Sequence, residues 1–120
     1  MAKKILVVDD SDVLRRIMRF NLEKVGFTVL EAVNGEEGLE MIVNEKPDLV
    51  FLDIMMPKMD GFFVLKRLQE MGLTDIPIIV VTAKGGEDDA LNAKRLGAKL
   101  VITKPFSPKE IVGLAKQFTE

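Results

Sequence analysis

Five short apolar runs recur along this chain, and helical patterns fill the intervals between them. The runs read as β-strands over 4–9, 27–32, 48–53, 77–82 and 99–103. Their ends are 21 to 29 residues apart, a spacing that fits one strand and one helix per unit. Because the runs at 4–9, 48–53 and 77–82 are almost continuously apolar, we predict that these strands are buried on both faces of a parallel sheet.

The intervening segments show the periodicity of helices that are apolar on one side. The helices are predicted over 12–25, 35–45, 61–72, 87–96 and 107–118. In the last of them, Ile111, Ala115 and Phe118 form one apolar stripe, while Ser107 can cap the helix and Pro108 suits its first turn. Five strand–helix units predict one domain over 1–120, a three-layer α/β sandwich, since five units are too few for an eight-stranded barrel.

The net charge and the apolar content bear on which kinds of partner this chain can bind. The 120 residues carry a net charge of −2 and are 48% hydrophobic, which gives no reason to expect nucleic acid or membrane as a direct partner. No apolar run approaches the roughly 20 residues that span a bilayer. Lys3 and Lys4 are followed by only four apolar residues before two aspartates, so no signal peptide is expected. We therefore expect a cytoplasmic location.

The chain contains no cysteine and no histidine. Disulfides, thiolate nucleophiles and imidazole bases are therefore excluded for its own side chains. Any metal that it binds must be a hard cation held by oxygen ligands.

Four of the five predicted strands end at polar residues suited to phosphate chemistry. In chain order these residues are Asp9, Asp10, Asp53, Thr82 and Lys104. The carboxyl ends of parallel strands share one edge of the sheet, which is where such sheets bind ligands. We therefore predict that the five side chains converge on one pocket.

The residue types in this predicted pocket indicate a particular chemistry. Neighbouring carboxylates repel one another unless a cation lies among them, and Mg²⁺ binds one or two carboxylates while leaving room for phosphate oxygens. A carboxylate can also attack phosphorus and become an aspartyl phosphate, a reaction that depends on charge neutralisation and positioning. Lys104 offers a compact cation, and Thr82 offers a hydroxyl donor for a phosphate oxygen.

The motifs around these residues resemble those of response-regulator receiver domains of two-component signalling. The resemblance covers about residues 3 to 118. It is carried by Val7-Val8-Asp9-Asp10-Ser11, Leu52-Asp53-Ile54-Met55-Met56-Pro57, Met59-Asp60-Gly61, Val81-Thr82-Ala83 and Lys104-Pro105-Phe106. It implies a flavodoxin-like fold with a parallel five-stranded sheet in the order 2-1-3-4-5.

The same resemblance implies roles for the acidic residues. Asp53 would be the phosphoacceptor, taking a phosphoryl group from the phosphohistidine of a partner histidine kinase. Asp9, Asp10 and Asp53 would bind Mg²⁺, with the backbone carbonyl of Met55 as a further ligand. We expect the chain to be no enzyme beyond its own phosphorylation and dephosphorylation, and to act as a diffusible switch or a relay step.

The resemblance also implies a switch. Thr82 and Lys104 would follow the new phosphoryl group and bias the surface of the fourth helix, fifth strand and fifth helix toward a downstream target. A cis peptide is expected between Lys104 and Pro105. Val101 departs from the family pattern, because many receivers carry an aromatic residue there whose rotation accompanies movement of the threonine.

Two further expectations concern the phosphoryl lifetime and the kinase. Met55 and Lys84 could shield the phosphorus from water, which predicts slow self-hydrolysis. In the family the first helix docks the helical bundle of the kinase. The apolar residues of that helix are spread over more than one of its sides: Val13, Leu14, Ile17, Met18 and Phe20. One stripe must face the sheet, so the remainder could form an apolar contact patch.

Other functions stay open at this point. A Mg²⁺-dependent aspartyl-phosphate phosphohydrolase usually carries a second Asp two residues after its nucleophile, where this chain has Met55. A flavin- or nucleotide-binding module would need a phosphate loop rich in Gly, Ser and Thr after the first strand. Here that segment is Asp9-Asp10-Ser11-Asp12, which would repel phosphate without a metal. A phosphorylation-independent interaction module is disfavoured because every expected pocket residue is present. The chain ends just after the fifth helix, which leaves no space for an output domain in these 120 residues.

Overall fold

The computed structural model describes residues 2–56, 58–83 and 87–120. The five strands are β1 (Lys4–Val8), β2 (Thr28–Ala32), β3 (Leu49–Asp53), β4 (Ile78–Thr82) and β5 (Leu100–Thr103). The five helices are α1 (Asp12–Lys24), α2 (Gly35–Glu45), α3 (Gly61–Glu70), α4 (Glu87–Arg95) and α5 (Pro108–Thr119). Every predicted element is present, and each boundary lies within two residues of its predicted position.

The strands form one parallel sheet in the order β2-β1-β3-β4-β5. This confirms the flavodoxin-like fold and the predicted strand order. In this sheet β1 pairs with β2 on one side and with β3 on the other. The connections therefore leave β1 in opposite directions, and the crevice that this creates lies beyond the carboxyl ends of β1 and β3.

Helices cover both faces of the sheet, so the core has two parts. On one face, Leu6, Val50 and Val80 pack in a cluster with residues of α2, α3 and α4. On the other face, Ile5 and Phe51 pack in a cluster with residues of α1 and α5. The residues of β3 and β4 are all buried, because side chains of successive residues point into alternate clusters and helices cover both clusters.

The ends of the helices follow local hydrogen-bond chemistry. Ser11 caps α1 by accepting the N–H of Leu14, and Ser107 caps α5 by accepting the N–H of Glu110. These caps fix where the loops after β1 and β5 become helical. Within the described ranges, no helix is long and apolar enough to cross a membrane.

Candidate functional site

The sheet brings the predicted polar residues to one edge. Asp9 directly follows β1, Asp53 and Thr82 are the last residues of β3 and β4, and Lys104 directly follows β5. These four strands are consecutive neighbours in the sheet. The side chains consequently line one side of the molecule from the acidic end at β1 to the basic end at β5.

Three carboxylates cluster at the acidic end. One oxygen from each of Asp9, Asp10 and Asp53 can be chosen so that all three lie within 4.8 Å of one another. Asp9 and Asp53 are buried, whereas Asp10 is exposed. The cluster is therefore open to solvent through Asp10 but closed behind the other two carboxylates.

Asp9 is fixed by its backbone and by its side chain. Its N–H donates to the carbonyl of Ala32 over 3.1 Å, and its Oδ1 accepts the N–H of Ser11 over 2.9 Å. Its Oδ2 lies 3.3 Å from Nζ of Lys104. These contacts hold the carboxylate at the end of β1 and leave it little rotamer freedom.

Asp53 lies between a backbone donor and the lysine. Its Oδ1 accepts the N–H of Met55 over 3.1 Å, and its Oδ2 accepts Nζ of Lys104 over 3.2 Å. Burial of the carboxyl, together with repulsion from Asp9, raises the pKa of Asp53, although the attraction of Lys104 works the other way. The site therefore disfavours the charged form of Asp53 while no further cation is present.

Lys104 responds to the same charges in the opposite sense. Its burial alone would lower the pKa of the ammonium, but the attraction of Asp53 and then of Asp9 outweighs burial and raises it. The side chain stays one-third exposed, so it can still meet a group that arrives from solvent. It is a charged lysine at neutral pH.

The charges of the site do not balance. Three carboxylates share the site with one ammonium, which contacts Asp9 and Asp53. Two negative charges are left when all three acids are ionised. Carboxylate oxygens of this kind suit a hard divalent cation, and the exposure of Asp10 leaves a path by which such an ion can enter. The donor set therefore fits a divalent metal.

Thr82 and Met55 stand at the rim of the pocket. Thr82 is buried, and its hydroxyl lies 3.4 Å from the carbonyl of Ala83, a long hydrogen bond. Its own carbonyl accepts the N–H of Lys104 over 2.8 Å, which ties the end of β4 to the loop after β5. The side chain of Met55 is 67% exposed, and its predicted role as a carbonyl ligand stays a prediction.

Two glycines allow the loop after β3 to approach the site closely. A Cβ on Gly61 would lie 2.8 Å from the carbonyl oxygen of Asp53, so a larger residue would push α3 away from the end of β3. A Cβ on Gly35 would lie 1.9 Å from the carbonyl oxygen of Met59. Both glycines are therefore required by contact, and together they seat the loop that follows Asp53.

Three further predictions concern the cis peptide, Val101 and the shielding role of Lys84. Lys104–Pro105 is a cis peptide, as the family resemblance implied. Val101 is half-buried and pairs with Val80 in the sheet. Pro57 and Lys84 lie outside the described residues, so the shielding role of Lys84 stays a prediction.

Sequence reasoning missed Arg15. This residue is buried and donates to the backbone carbonyl of Asp9 over 2.6 Å. The signal was present in the sequence, since Arg15 precedes Met18 by three residues and Leu22 by seven, which places all three on one side of the helix. A charged residue in the inward-facing stripe of a helix indicates a buried partner.

Residues 5–116 match the sequence profile of a family described as the response regulator receiver domain. The chain belongs to this family. The resemblance inferred from the motifs is thereby confirmed, and so is the function of a receiver domain in two-component signalling. The predicted single-domain boundary at 1–120 stays a prediction.

Individual relatives agree with the family. The chain is 47% identical to the alkaline phosphatase synthesis transcriptional regulatory protein PhoP of Bacillus subtilis over 92% of its own length and 46% of that protein. It is 44% identical to the phosphate regulon transcriptional regulatory protein PhoB of Pseudomonas aeruginosa over 97% of its length and 51% of that protein. The chain thus spans about half the length of these curated relatives.

A solved structure shows the same architecture over the full length. The chemotaxis protein CheY4 of Vibrio cholerae superposes with a TM-score of 0.89 at 27% identity, covering 98% of this chain and 99% of that one. The fold and the family therefore agree between sequence and structure comparisons.

Proposed function

We propose that Asp53 is the residue that receives the phosphoryl group in this receiver domain. The observation that carries the proposal is the placement of its buried carboxylate within 3.2 Å of Nζ of Lys104 and inside a three-carboxylate cluster. Family membership supplies the phosphoacceptor function, and this placement supports the assignment of that function to Asp53. Asp9 is held by Ser11 and Lys104, while Asp10 lies out in solvent.

The transfer step follows from the chemistry of a carboxylate nucleophile. An oxygen of Asp53 attacks the phosphorus of a phosphohistidine on a partner kinase, forming a P–O bond as the P–N bond breaks. The bonding electrons return to the imidazole nitrogen, which takes up a proton. Asp53 must be deprotonated to attack, so the cations around it determine its reactivity as well as its charge.

Asp9, Asp10 and Asp53 are the residues that would hold Mg²⁺, with the carbonyl of Met55 as the further ligand implied by the family. When bound, Mg²⁺ neutralises charge on the phosphoryl oxygens and on the acids. Lys104 supplies a second positive charge, held against Asp9 and Asp53. Its contact with Asp53 Oδ2 supports a role in binding the oxygens of a phosphoryl group carried by that carboxylate.

Phosphorylation then changes the far side of the pocket. A phosphoryl group on Asp53 brings about two negative charges and three acceptor oxygens, which attract the ammonium of Lys104 and the hydroxyl of Thr82. Because the N–H of Lys104 donates to the carbonyl of Thr82, the ends of β4 and β5 move as a pair. The switched surface would be that of α4, β5 and α5.

The exposed apolar side of α1 is the surface that we assign to the kinase. Val13 and Phe20 are each 66% exposed and Ile17 is 43% exposed. Their spacing of four and then three residues places them on one side of the helix. Met18 and Leu22 face the sheet instead, so the stripe is free to meet a helical bundle.

The proposed chemistry is limited to the chain's own phosphoryl group. A phosphohydrolase of the aspartyl-nucleophile type would need an acid two residues after Asp53, whereas the side chain there is the thioether of Met55. An interaction module independent of phosphorylation would gain nothing from burying the Asp53 carboxyl beside Asp9 and Lys104. Transfer onto Asp53, without turnover of another substrate, fits the site best.

Mass spectrometry after incubation with acetyl phosphate and Mg²⁺ tests the proposal. We expect the intact chain to gain one phosphoryl group, and we expect Asp53→Ala to abolish that gain. Asp48→Ala is a matched control, since Asp48 accepts a backbone N–H at the opposite end of the sheet. Phosphorylation that persists in Asp53→Ala would contradict the assignment, and a wild-type chain that gains nothing would contradict the function.

A further inference from the structure

Arg15 is a buried cation on the inward side of α1. It is 7% exposed, although an unpaired charge in such a place is strongly unfavourable. Burial works against the charge of Arg15, but the hydrogen bonds and charges of Asp12 and Glu31 outweigh it and raise its pKa. Arg15 is therefore a permanent guanidinium directly beneath the acidic loop.

The guanidinium contacts the backbone of Asp9 rather than its side chain. Its NH1 donates to the backbone carbonyl of Asp9 over 2.6 Å, rather than to the carboxylate that the pocket uses. Its NH2 group pairs with the carboxylate of Asp12. Arg15 thus binds the first residue of the loop between β1 and α1 and also the first residue of α1, with Asp10 between the two points.

A second set of contacts holds the guanidinium itself. Its Nε donates to Oε1 of Glu31 over 3.1 Å, and Glu31 belongs to the edge strand β2. The other oxygen of Glu31 accepts NH1 of Arg19 over 2.5 Å. Glu31 therefore orients Arg15 from the sheet, while Arg19 completes the pair on the exposed side.

Each polar group of Asp9 is held by a different partner. The Ala32 carbonyl, the Ser11 N–H and Lys104 hold its N–H and its two carboxylate oxygens. Arg15 holds the remaining polar group, the carbonyl. That carbonyl belongs to the peptide that joins Asp9 to Asp10, so its direction sets where the Asp10 side chain emerges.

We propose that Arg15, oriented by Glu31, is a positioning residue that sets the geometry of the Asp9–Asp10 pair for a divalent cation. The inference rests on the proposed metal site and goes beyond it by assigning a residue that touches neither the ion nor the phosphoryl group. Residues that orient metal ligands in this way typically contribute on the order of 10- to 100-fold in metal affinity.

The sign of the effect separates positioning from simple electrostatics. If Arg15 acted only as a nearby positive charge, its removal would strengthen cation binding by relieving repulsion. If it acted only in stability, the folded variant would bind Mg²⁺ like the wild type. Weaker binding by a folded variant is the outcome that positioning predicts.

Calorimetric titration with MgCl₂ provides the first measurement. We expect Arg15→Gln to raise the Mg²⁺ dissociation constant about tenfold and Arg15→Lys to fall between it and the wild type, because lysine keeps one donor for the carbonyl. Arg19→Gln is the matched control: it breaks the exposed half of the same network without touching Asp9, so its dissociation constant should stay within about twofold.

Hydrogen exchange in metal-free protein provides a readout that does not depend on Mg²⁺. The amide of Ser11 is bonded to Asp9 Oδ1, and a loosened loop should expose it more often. We expect faster exchange at Ser11 in Arg15→Gln and no change in Arg19→Gln. Should Arg15→Gln fail to fold, Glu31→Gln removes the orienting carboxylate, and a smaller change in the same direction is expected.

The outcomes separate this inference from the proposed function. A wild-type chain that binds no Mg²⁺ would remove the metal site, while Ser11 exchange would still test the loop contact. Unchanged or tighter Mg²⁺ binding in folded Arg15→Gln, with unchanged Ser11 exchange, would overturn the role of Arg15 and leave the function of Asp53 intact.

Discussion

The pocket has an acidic half at the ends of β1 and β3 and a second half at the ends of β4 and β5. The two halves differ in how many contacts hold their polar side chains. On the acidic side, the backbone and side chain of Asp9 contact Ala32, Ser11, Arg15 and Lys104. On the other side, the contact found for the hydroxyl of Thr82 within the described ranges is the long one to its neighbour's carbonyl. The difference indicates that the half proposed to hold a cation is fixed by more side-chain contacts than the half proposed to answer a phosphoryl group.

Lys104 belongs to both halves. Its ammonium pairs with Asp53 and Asp9, while its backbone N–H donates to the carbonyl of Thr82. A change of charge on Asp53 is therefore felt by the same residue that holds the end of β4. Because Lys104 contacts both halves, substituting it is the most informative test of how the two halves differ.

The largest effect is expected from Lys104→Ala. We expect phosphorylation by acetyl phosphate to slow about 100-fold, since an aligned charged donor to a developing charge typically contributes 10²- to 10³-fold. Mg²⁺ binding should become tighter at the same time, because a competing cation 3.2 Å from Asp53 is gone. Rates of intact-mass change and calorimetric titration measure the two effects.

Lys99→Ala is the control for that experiment. Lys99 is an exposed lysine just before β5, and its backbone N–H bonds to Ile78. Neither the rate nor the Mg²⁺ affinity should change in this variant. A Lys104→Ala protein that lost rate but also bound Mg²⁺ more weakly would mean that the lysine supports the acidic half rather than competing within it.

The acidic half can be tested by pH. Burial raises the pKa of Asp53, and Mg²⁺ requires the deprotonated carboxylate. Below that raised pKa, Mg²⁺ affinity should fall by about tenfold per pH unit as one proton must be displaced. Titrations at several pH values measure the slope, and its onset should lie above the roughly 3.9 of an ordinary Asp.

Asp75→Asn provides the matched control, since Asp75 is exposed and precedes β4 at the opposite edge of the sheet. Its pH profile should overlay that of the wild type. A wild-type profile whose onset lies at or below the ordinary Asp value would argue that the burial of Asp53 has no consequence for metal binding.

Much of the acidic half could be predicted from sequence because it depends on strand ends. A parallel sheet places the residue after each strand on one edge whatever the details of packing, so Asp9, Asp53 and Lys104 were placed by pattern alone. The glycine that follows Asp60 was visible in the sequence, but the contact that requires it was not. Gly61 touches the backbone of Asp53 only because of the path of the loop.

The supporting contacts could not be predicted because they join segments through three-dimensional packing. Nothing in the sequence near Arg15 says that its partners are the carbonyl of Asp9 and the carboxylate of Glu31, sixteen residues away. Likewise, the exposed side of α1 follows from which stripe meets the sheet. Both possibilities for Val13, Ile17 and Phe20 fitted the periodicity, and the structure leaves all three exposed.

A smaller effect on the phosphorylation rate is expected from Thr82→Val, at the end of β4. Valine keeps the branched shape of threonine at this buried position and removes the hydroxyl. We expect phosphorylation to slow about fivefold, the equivalent of one neutral hydrogen bond of about 1 kcal/mol, with Mg²⁺ affinity unchanged. Intact-mass kinetics and titration measure both quantities.

Thr103→Val controls for the loss of a hydroxyl at a strand end. Thr103 pairs with Thr82 across the sheet but is exposed. Its variant should react at the wild-type rate. If Thr82→Val altered Mg²⁺ affinity as much as the rate, the proposed independence of the two halves would be wrong.

The smallest effect is expected from Asp53→Asn on stability without metal. Because the folded pKa of Asp53 is raised, the folded chain holds that proton more tightly than the unfolded chain, and its stability falls as pH rises through the interval between the two pKa values. Asparagine removes this loss at neutral pH while Asp9 still pairs with Lys104. Thermal unfolding in EDTA at pH 7 should therefore show a higher Tm for Asp53→Asn.

The higher Tm of Asp53→Asn should vanish below the pKa of the unfolded Asp, and Mg²⁺ should reverse the order by stabilising only the wild type. A lower Tm for Asp53→Asn at pH 7 would mean that the pair with Lys104 outweighs burial.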